Sequence, residues 1–262
     1  MILDPLNSIT SLSFYKKVAA QAWSRSLIYL AYLGIVFAIV FLVFLKLRVW
    51  PSLDATFKWL ETSVPAITYS KGRVSTPTNE KVTVRHPTIN EVAFTLDTNR
   101  TEPVTAQMLA AEKVSACLTS NALYVMQPGG KVEVYDFSKA PSAQTKVFDA
   151  KFYDELSRNL RFALYPIGFA AAFLLFFVWK LTASLFYSSI ALLINGLAET
   201  GLPYPALFNI SVYAQTLVIA VQCILLLIPA QVPQFTLLAA VATTIYLWLA
   251  IKKNAVPRPA AV

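Results

Sequence analysis

The chain has 262 residues, of which 56% are hydrophobic and only 14% are charged, and its formal net charge is +8 at pH 7. Soluble domains average about 25% charged residues, so this composition indicates a protein that is largely embedded in lipid. The excess positive charge lies beside long apolar runs, as Lys and Arg do at the ends of membrane spans. It therefore argues against a nucleic-acid-binding surface.

The charges divide the chain into two kinds of segment. Residues 49–160 carry 12 Lys/Arg and 12 Asp/Glu, so this segment is neutral. The two ends carry 10 Lys/Arg against Asp4 and Glu199, and they hold every long apolar run. This pattern predicts a membrane-embedded part and one sizeable aqueous domain. Cys117 and Cys223 fall in different parts, so no disulfide framework is expected.

The chain begins with an amphipathic leader, residues 1–26, which we expect on the cytoplasmic side of the membrane. Its apolar residues recur at helical spacing beside Lys16 and Lys17. The pattern fits a helix lying along the membrane surface, and equally an N-terminal extension of the first span. That span is predicted over residues 27–45, which carry no charge and come close to the roughly 20 residues that a crossing helix needs.

Residues 49–160 are predicted to form a mixed, β-rich extracytoplasmic domain. A short helix is expected over residues 55–62, with Ser52 and Asp54 as N-cap residues. The clearest hairpin covers residues 123–137, where Gly129-Gly130 separates two runs of strand-forming residues. The other predicted elements are strands over 66–74, 81–85, 91–96, 113–118 and 122–126, and a helix over 148–162.

The C-terminal part is predicted to be a transmembrane helical bundle over residues 162–251, followed by a cytoplasmic tail over 252–262. Residues 181–197 are apolar too, and a crossing there would give five spans instead of four. Four spans place both termini on the side with more Lys and Arg, which the positive-inside rule assigns to the cytoplasm. We therefore expect residues 181–197 to form a buried or half-inserted helix, with spans at 162–179, 207–228 and 235–251.

Few residues indicate catalysis or metal binding. The single histidine, His86, directly precedes a proline, and the sequence contains no HExxH, CxxC pair, GxSxG elbow or phosphate-binding glycine loop. We therefore expect no enzymatic activity, no cofactor and no metal site. Asp97 and Thr98, at the end of a predicted strand, are the candidate site of the aqueous domain. They could form a ligand-binding or metal-linked carboxylate, but an Asx-type turn is the favoured interpretation.

Uncharged polar side chains within the bundle form the other candidate site. Ser211, Gln215 and Gln222 stand at i, i+4 and i+11, so they share one helix face, and Asn195 precedes their span. They would either line a substrate cavity or hydrogen-bond neighbouring helices at about 1 kcal/mol per contact, and we favour the second. Lys180 is expected at a span end, where its long side chain can reach the membrane interface.

Several short motifs resemble one family of bacterial membrane proteins. They are SFYKK at residues 13–17, VAFTLDT at 92–98, LYVM at 123–126, LPYPALF at 202–208 and YAQT at 213–216. With them, nearly the full length of the chain resembles the bacterial domain-of-unknown-function 1189 family, distantly related to Yip-type multi-span membrane proteins. The resemblance implies a multi-span architecture in a bacterial plasma membrane, and it supplies no activity and no site.

Together these features predict an α-helical polytopic membrane protein of a bacterial cytoplasmic (inner) membrane. The leading hypothesis is a non-enzymatic accessory or scaffold protein that binds another membrane protein, or itself, through its helical bundle and external domain. The alternative is a small transporter or lipid-handling component with a polar-lined cavity between the C-terminal helices. The expected partners are the lipid bilayer and a membrane protein or second copy, with no nucleic acid.

Overall fold

The structure, a computed structural model, describes residues 2–78, 80–87, 93–139, 144–228 and 232–254. The chain divides into two compact units. The helical unit consists of Met1–Arg48 and Leu164–Val262, and the sheet unit consists of Val49–Ala163.

Helices account for most of the described residues. In chain order they are α1 (Asp4–Thr10), α2 (Phe14–Ala20), α3 (Trp23–Phe44), α4 (Trp50–Ser63), α5 (Ala106–Glu112), α6 (Ala150–Leu197), α7 (Tyr204–Ala214), α8 (Thr216–Leu227) and α9 (Phe235–Lys253). The strands are β1 (Ile67–Ser70), β2 (Arg73–Ser75), β3 (Val82–Arg85), β4 (Ala93–Leu96), β5 (Ala116–Leu118), β6 (Ala122–Met126), β7 (Val132–Asp136) and β8 (Lys146–Phe148).

Four helical stretches among the described residues are long and apolar enough to cross a membrane. They are Trp23–Ser63, Ala150–Leu197, Tyr204–Leu227 and Phe235–Lys253. Each includes an 18-residue window with no more than two charged residues, as a lipid-facing helix requires. The coarse prediction is thus confirmed: the protein is mostly helical, with four candidate spans and a separate mixed-sheet region.

Residues 162–179 and 181–197, predicted as two segments, belong to the single unbroken helix α6. A continuous helix has no turn at which to cross a bilayer a second time, so α6 counts as one of the four candidate spans, and the number of crossings stays a prediction. The helix expected over residues 181–197 is present as the last part of α6, and its insertion in the membrane stays a prediction. Nothing in the sequence near Lys180 breaks a helix, since neither Gly nor Pro occurs between Gly168 and Gly196.

The N-terminal leader is two short helices that pack into the helical unit. Tyr15 and Val18 of α2 are completely buried, and α2 contacts α7 and α9. The Tyr15 hydroxyl donates to the Ser8 carbonyl at 3.0 Å, and burial raises the pKa of this phenol. Extended backbone at Gln21 and Ala22 separates α2 from α3, so the leader is not an extension of the first span.

Hydrogen bonds along α3 show the relative directions of helices in the helical unit. Ser26 donates to Asn209 at 2.7 Å, and further along both helices Tyr29 pairs with Thr216 at 2.9 Å. Helix α3 and the α7–α8 pair therefore run in the same direction. Near the end of α9, the Tyr246 hydroxyl donates to the Ile9 carbonyl at 3.1 Å, so this end of α9 lies beside the N-terminal helices.

The sheet unit contains a three-stranded antiparallel sheet, in the order β2-β1-β8, and a five-stranded sheet, in the order β3-β4-β5-β6-β7. The β4–β5 pair is parallel, and α5 supplies the crossover that such a pair needs. Sequence analysis missed α5, although Thr105 caps it by accepting from the Met108 amide and Lys113 ends it in the left-handed conformation.

Most predicted strands are present with shorter bounds. The β6–β7 hairpin is confirmed, and Gly129 and Gly130 adopt the positive φ angles that its turn requires. Residues 91 and 92 of one predicted strand lie outside the described residues. The N-cap assignment for Ser52 and Asp54 is wrong, because α4 already begins at Trp50 and directly follows a π-helical turn at Leu45–Val49.

Candidate functional site

The predicted polar face is divided between two environments. Gln215 lies at the one-residue break between α7 and α8, where its amide nitrogen donates to Ser184 Oγ at 2.8 Å and to the Ser211 carbonyl at 3.2 Å. The Ser211 hydroxyl donates to the Leu207 carbonyl at 2.8 Å. Both side chains are buried and hydrogen-bonded. The Gln215 bond to Ser184 joins the α7–α8 break to α6, whereas the Ser211 bond lies within α7.

Asn195 stabilises the connection between α6 and α7 by hydrogen bonds. Its carboxamide accepts a hydrogen bond from the Leu202 amide and donates to the Leu202 carbonyl, both at 3.1 Å, and it also accepts from the Thr200 hydroxyl. Three hydrogen bonds from one side chain close this connection. Asn195 is therefore a loop-closing residue, and the structure does not bring it together with Gln222.

A second buried polar set went unrecognised in the sequence. Asn209 accepts from Ser26 and donates to the Gln21 carbonyl at 2.7 Å, and Gln21 donates to Ser26 at 2.9 Å. This closed ring of hydrogen bonds ties the start of α3 to α7. The position of Asn209 inside an apolar run is the one sequence signal that could have found it, because a buried amide needs partners.

Asp97 and Thr98 lie in a turn directly after β4. The Asp97 amide donates to the Leu118 carbonyl at 2.9 Å, and the Arg100 amide donates to the Asp97 carbonyl at 3.3 Å. The Thr98 and Thr76 hydroxyls lie 3.3 Å apart. Among the described residues, no group of three or more His, Cys, Asp or Glu side chains could hold a metal ion.

Glu112 of the sheet unit takes part in an ion pair and in a further hydrogen bond. Lys81 Nζ lies 2.6 Å from one carboxylate oxygen, and the Thr95 hydroxyl donates to the other at 3.3 Å. Chiefly because of the Lys81 hydrogen bond, the pKa of Glu112 lies below its ordinary value. The adjacent cavity is about 10 Å³, which is room for one water molecule. This cluster therefore stabilises the fold.

The thiol of Cys117 lies against the same cluster. Cys117 is 4% exposed, and burial raises its pKa above the ordinary value. A thiol needs its thiolate form to react, so Cys117 is poorly suited to a nucleophilic role. Cys117 and Cys223 are both free, as the sequence predicted.

The helical unit contains a groove of about 970 Å³. Its walls come from α3 and the following π-helical turn, from α6, from α8 and from the first residue of α9. The lining residues of α6 recur every three or four positions from Leu164 to Lys180, so they form one face of that helix. Short side chains at Gly168, Ala171 and Ala172 leave room for the groove along this face.

Aromatic contacts fix the position of α6 against α3. Phe37 stacks on Phe176 with ring centroids 4.3 Å apart. A methyl group added at Gly34 would lie 3.2 Å from the Phe173 ring, and one at Gly168 would lie 3.2 Å from Leu45. The two helices are therefore close-packed and antiparallel, and the groove opens on the α8 side of this pair.

The groove is apolar except at one end. Among its described lining residues, Lys180 and Gln222 supply the strongly polar side chains. Lys180 is only 5% exposed, and its Nζ lies 5.7 Å from the centre of the Phe176 ring. Lys180 thus lies inside α6 with a buried side chain, and its position at a span end and at the membrane interface stays a prediction.

The fold thus defines a protein with four helical stretches that are long and apolar enough to cross a membrane. It also has a separate sheet unit and an apolar groove among its helices. The chain matches the family model described as "Protein of unknown function (DUF1189)" over residues 6–251, and it belongs to that family. Neither a curated protein nor a solved structure matches the chain. The distant relationship to Yip-type proteins stays a prediction.

Proposed function

We propose that the protein is a lipid-handling component of a bacterial cytoplasmic membrane, which holds an acyl chain of a membrane lipid in its groove. One observation carries this proposal: the 970 Å³ groove with almost wholly apolar walls. Sites for small ligands typically measure about 300–1,000 Å³ and are mostly apolar with a few polar groups. An acyl chain matches such walls, and a polar solute does not.

The groove is accessible from the surface of the helical unit. Its lining residues Leu175 and Trp179 are 73% and 66% exposed. These residues would face lipid if α6 crosses the membrane, so a chain could enter sideways from the bilayer. The polar-lined cavity expected from the sequence receives no support, since Ser211 and Gln215 already have protein partners.

The proposed topology has four spans, cytoplasmic termini and an extracytoplasmic sheet unit. Two features support an even number of crossings: the unbroken α6, and the contact between α9 and the N-terminal helices. Among the described residues of the helical unit, five Lys and Arg residues lie near the end that holds the termini and two lie near the other end, a difference that the positive-inside rule favours. They are Lys16, Lys17, Arg25, Lys252 and Lys253, against Lys46 and Arg48.

A role as an accessory protein is the second candidate function. The outward side of α6 supports it, because Leu174, Phe186 and Leu193 are 58%, 65% and 71% exposed. These side chains could contact another membrane protein or a second copy of this chain as well as lipid. The absence of enzymatic activity stays a prediction.

The test of the groove is a pair of matched alanine variants in α6. Ala171→Trp places a bulky side chain in the groove, whereas Ala170→Trp places the same side chain on the neighbouring exposed position outside the lining. The full-length protein is purified in mild detergent with a photoactivatable acyl-chain phospholipid. We expect crosslinking to decrease in Ala171→Trp alone. Equal crosslinking in the two variants and the native protein would contradict the proposed function.

A further inference from the structure

Lys180 is a buried cation without a counter-ion in the described part of the chain. No ion pair involves it there, and its nearest aromatic partner is the face of the Phe176 ring. A cation–π contact is worth about 0.5–2 kcal/mol, which offsets only part of the cost of taking an ammonium group out of water. A lysine buried in this way points to an anion that arrives with a ligand.

The position of Lys180 within the groove indicates which end of a bound ligand carries the anionic group. Lys180 is the last residue of the α6 wall, about 24 Å along the helix from Leu164 at 1.5 Å per residue. Gln222 is the earliest α8 residue of the lining, and it lies before Leu225 and Leu226 on a helix antiparallel to α6. Both polar side chains therefore belong to one end of the groove, and the other end is apolar.

A closed polar layer lies just beyond this end. Ser184, one helical turn after Lys180, accepts from Gln215, and its own hydroxyl donates to the Lys180 carbonyl at 2.8 Å. These groups satisfy one another, so they do not neutralise the ammonium group. The groove is thus amphipathic along its length, with a positive end against a polar layer and a long apolar end.

We propose that Lys180 makes the groove selective for an anionic phospholipid of the surrounding membrane, with its acidic headgroup beside the ammonium group and one acyl chain running towards Leu164. This inference rests on the proposed lipid-handling function and names the class of lipid. An anionic phospholipid and a free fatty acid both carry an acidic group at the end of an acyl chain, so both have the chemistry that the groove would recognise. We commit to the phospholipid because the membrane itself supplies it.

A partner helix with an acidic residue is a poorer fit than a lipid. A helix with its side chains is about 10–12 Å across, and it would have to reach an ammonium group on a residue that is 5% exposed. A headgroup and a single chain are thinner. They can enter past the exposed side chain of Trp179, which lies next to Lys180 in the groove wall.

The test compares two lipids that differ in charge. Full-length protein is placed in nanodiscs containing equal amounts of phosphatidylglycerol and phosphatidylcholine, released, and analysed for retained lipid by native mass spectrometry. We expect the native protein to retain phosphatidylglycerol preferentially. Lys180→Met should reduce the preference about tenfold, which corresponds to about 1.4 kcal/mol, and Lys180→Arg should keep it. The thermal midpoint of each variant shows that it is folded.

The remaining outcomes separate this inference from the proposed function. Loss of both lipids in Ala171→Trp with an unchanged preference in Lys180→Met would overturn the headgroup selectivity and leave the groove function standing. No effect of Ala171→Trp would overturn the groove function itself. Retention of added oleate but not of phosphatidylglycerol would overturn the phospholipid as ligand. A copurifying protein that disappears only in Lys180→Met, with no lipid retained, would replace the lipid by a partner helix.

Discussion

The side-chain amide of Gln215 donates a hydrogen bond to the Ser184 hydroxyl at 2.8 Å, and this contact joins the α7–α8 break to α6. Gln215 is 2% exposed and Ser184 is completely buried. The pair marks the end of the groove, and it is one of several polar contacts that join different helices of the helical unit. These cross-helix contacts fix the positions of α3, α6 and the α7–α8 pair, which supply groove walls.

Replacing Gln215 by Leu should therefore weaken the bundle without impairing lipid retention. We expect a loss of about 1 kcal/mol, since Ser184 still donates to the Lys180 carbonyl and is not left unsatisfied. The control is Gln222→Leu, which changes a groove-lining side chain. The thermal midpoint in detergent, read by a thiol-reactive dye on Cys223 in a Cys117→Ala background, should fall in the first variant and hold in the second.

Equal midpoints for the two glutamine variants would show that the Gln215 contact contributes nothing. Lost lipid retention in Gln215→Leu at an unchanged midpoint would restore the polar-lined cavity predicted from the sequence.

The stacked pair Tyr29 and Tyr213 should contribute more than any single hydrogen bond between α3 and α7. Their ring centroids lie 3.9 Å apart with planes 2° from parallel, and both residues are at most 1% exposed. We expect Tyr213→Ala to cost about 3 kcal/mol, as large-to-small changes of buried aromatics do. Tyr29→Phe keeps the stack and loses only the bond to Thr216, which should cost about 1 kcal/mol.

Thermal midpoints measured by the same dye assay check this order. Equal shifts for the two tyrosine variants would show that the hydrogen bond, and not the stacking, joins these helices.

The sheet unit should lose stability in acid because of Glu112. The folded state lowers the pKa of this carboxyl, so its contribution is present above the unfolded pKa near 4.5 and disappears as the pH falls through the lower folded value. The protection factors of the β4 and β5 amides against hydrogen exchange should therefore decrease below pH 4.5. In Glu112→Gln, these protection factors should be lower at neutral pH and should change less on acidification.

An acid response of the same size in Glu112→Gln and in the native protein would assign it to other carboxyl groups. Asp136 is the first of these to replace, because hydrogen bonds from Ser138 also lower its pKa.

The proposed topology predicts a labelling pattern in intact cells. Single cysteines are introduced at Ser138 and at Asn254 in a background in which Cys117 and Cys223 are replaced by Ala. Ser138 is exposed in the sheet unit, and Asn254 directly follows α9. We expect a membrane-impermeant thiol reagent to label the cysteine at Ser138 and not the one at Asn254.

Labelling at both positions would indicate an odd number of crossings, which conflicts with four spans. Labelling at Asn254 alone would reverse the orientation and place the sheet unit in the cytoplasm.

The sequence by itself determined the features that depend on neighbouring residues. Uninterrupted apolar length indicated the helices that can span a membrane, because the cost of burying polar groups in lipid accumulates along one segment. The neutral charge balance marked the segment that forms the sheet unit. At Gly129 and Gly130, the need for positive φ angles identified the β6–β7 turn.

Tertiary structure decided what the polar residues do. Ser211, Gln215 and Gln222 share one face on an ideal helix, but partners at Ser184 and a break at Gln215 assign them to different surroundings. The sequence predicts Lys180 at the end of a span. Its burial depends on Phe176 in α6 and on helices far away in the chain, and sequence spacing carries no information about such long-range packing.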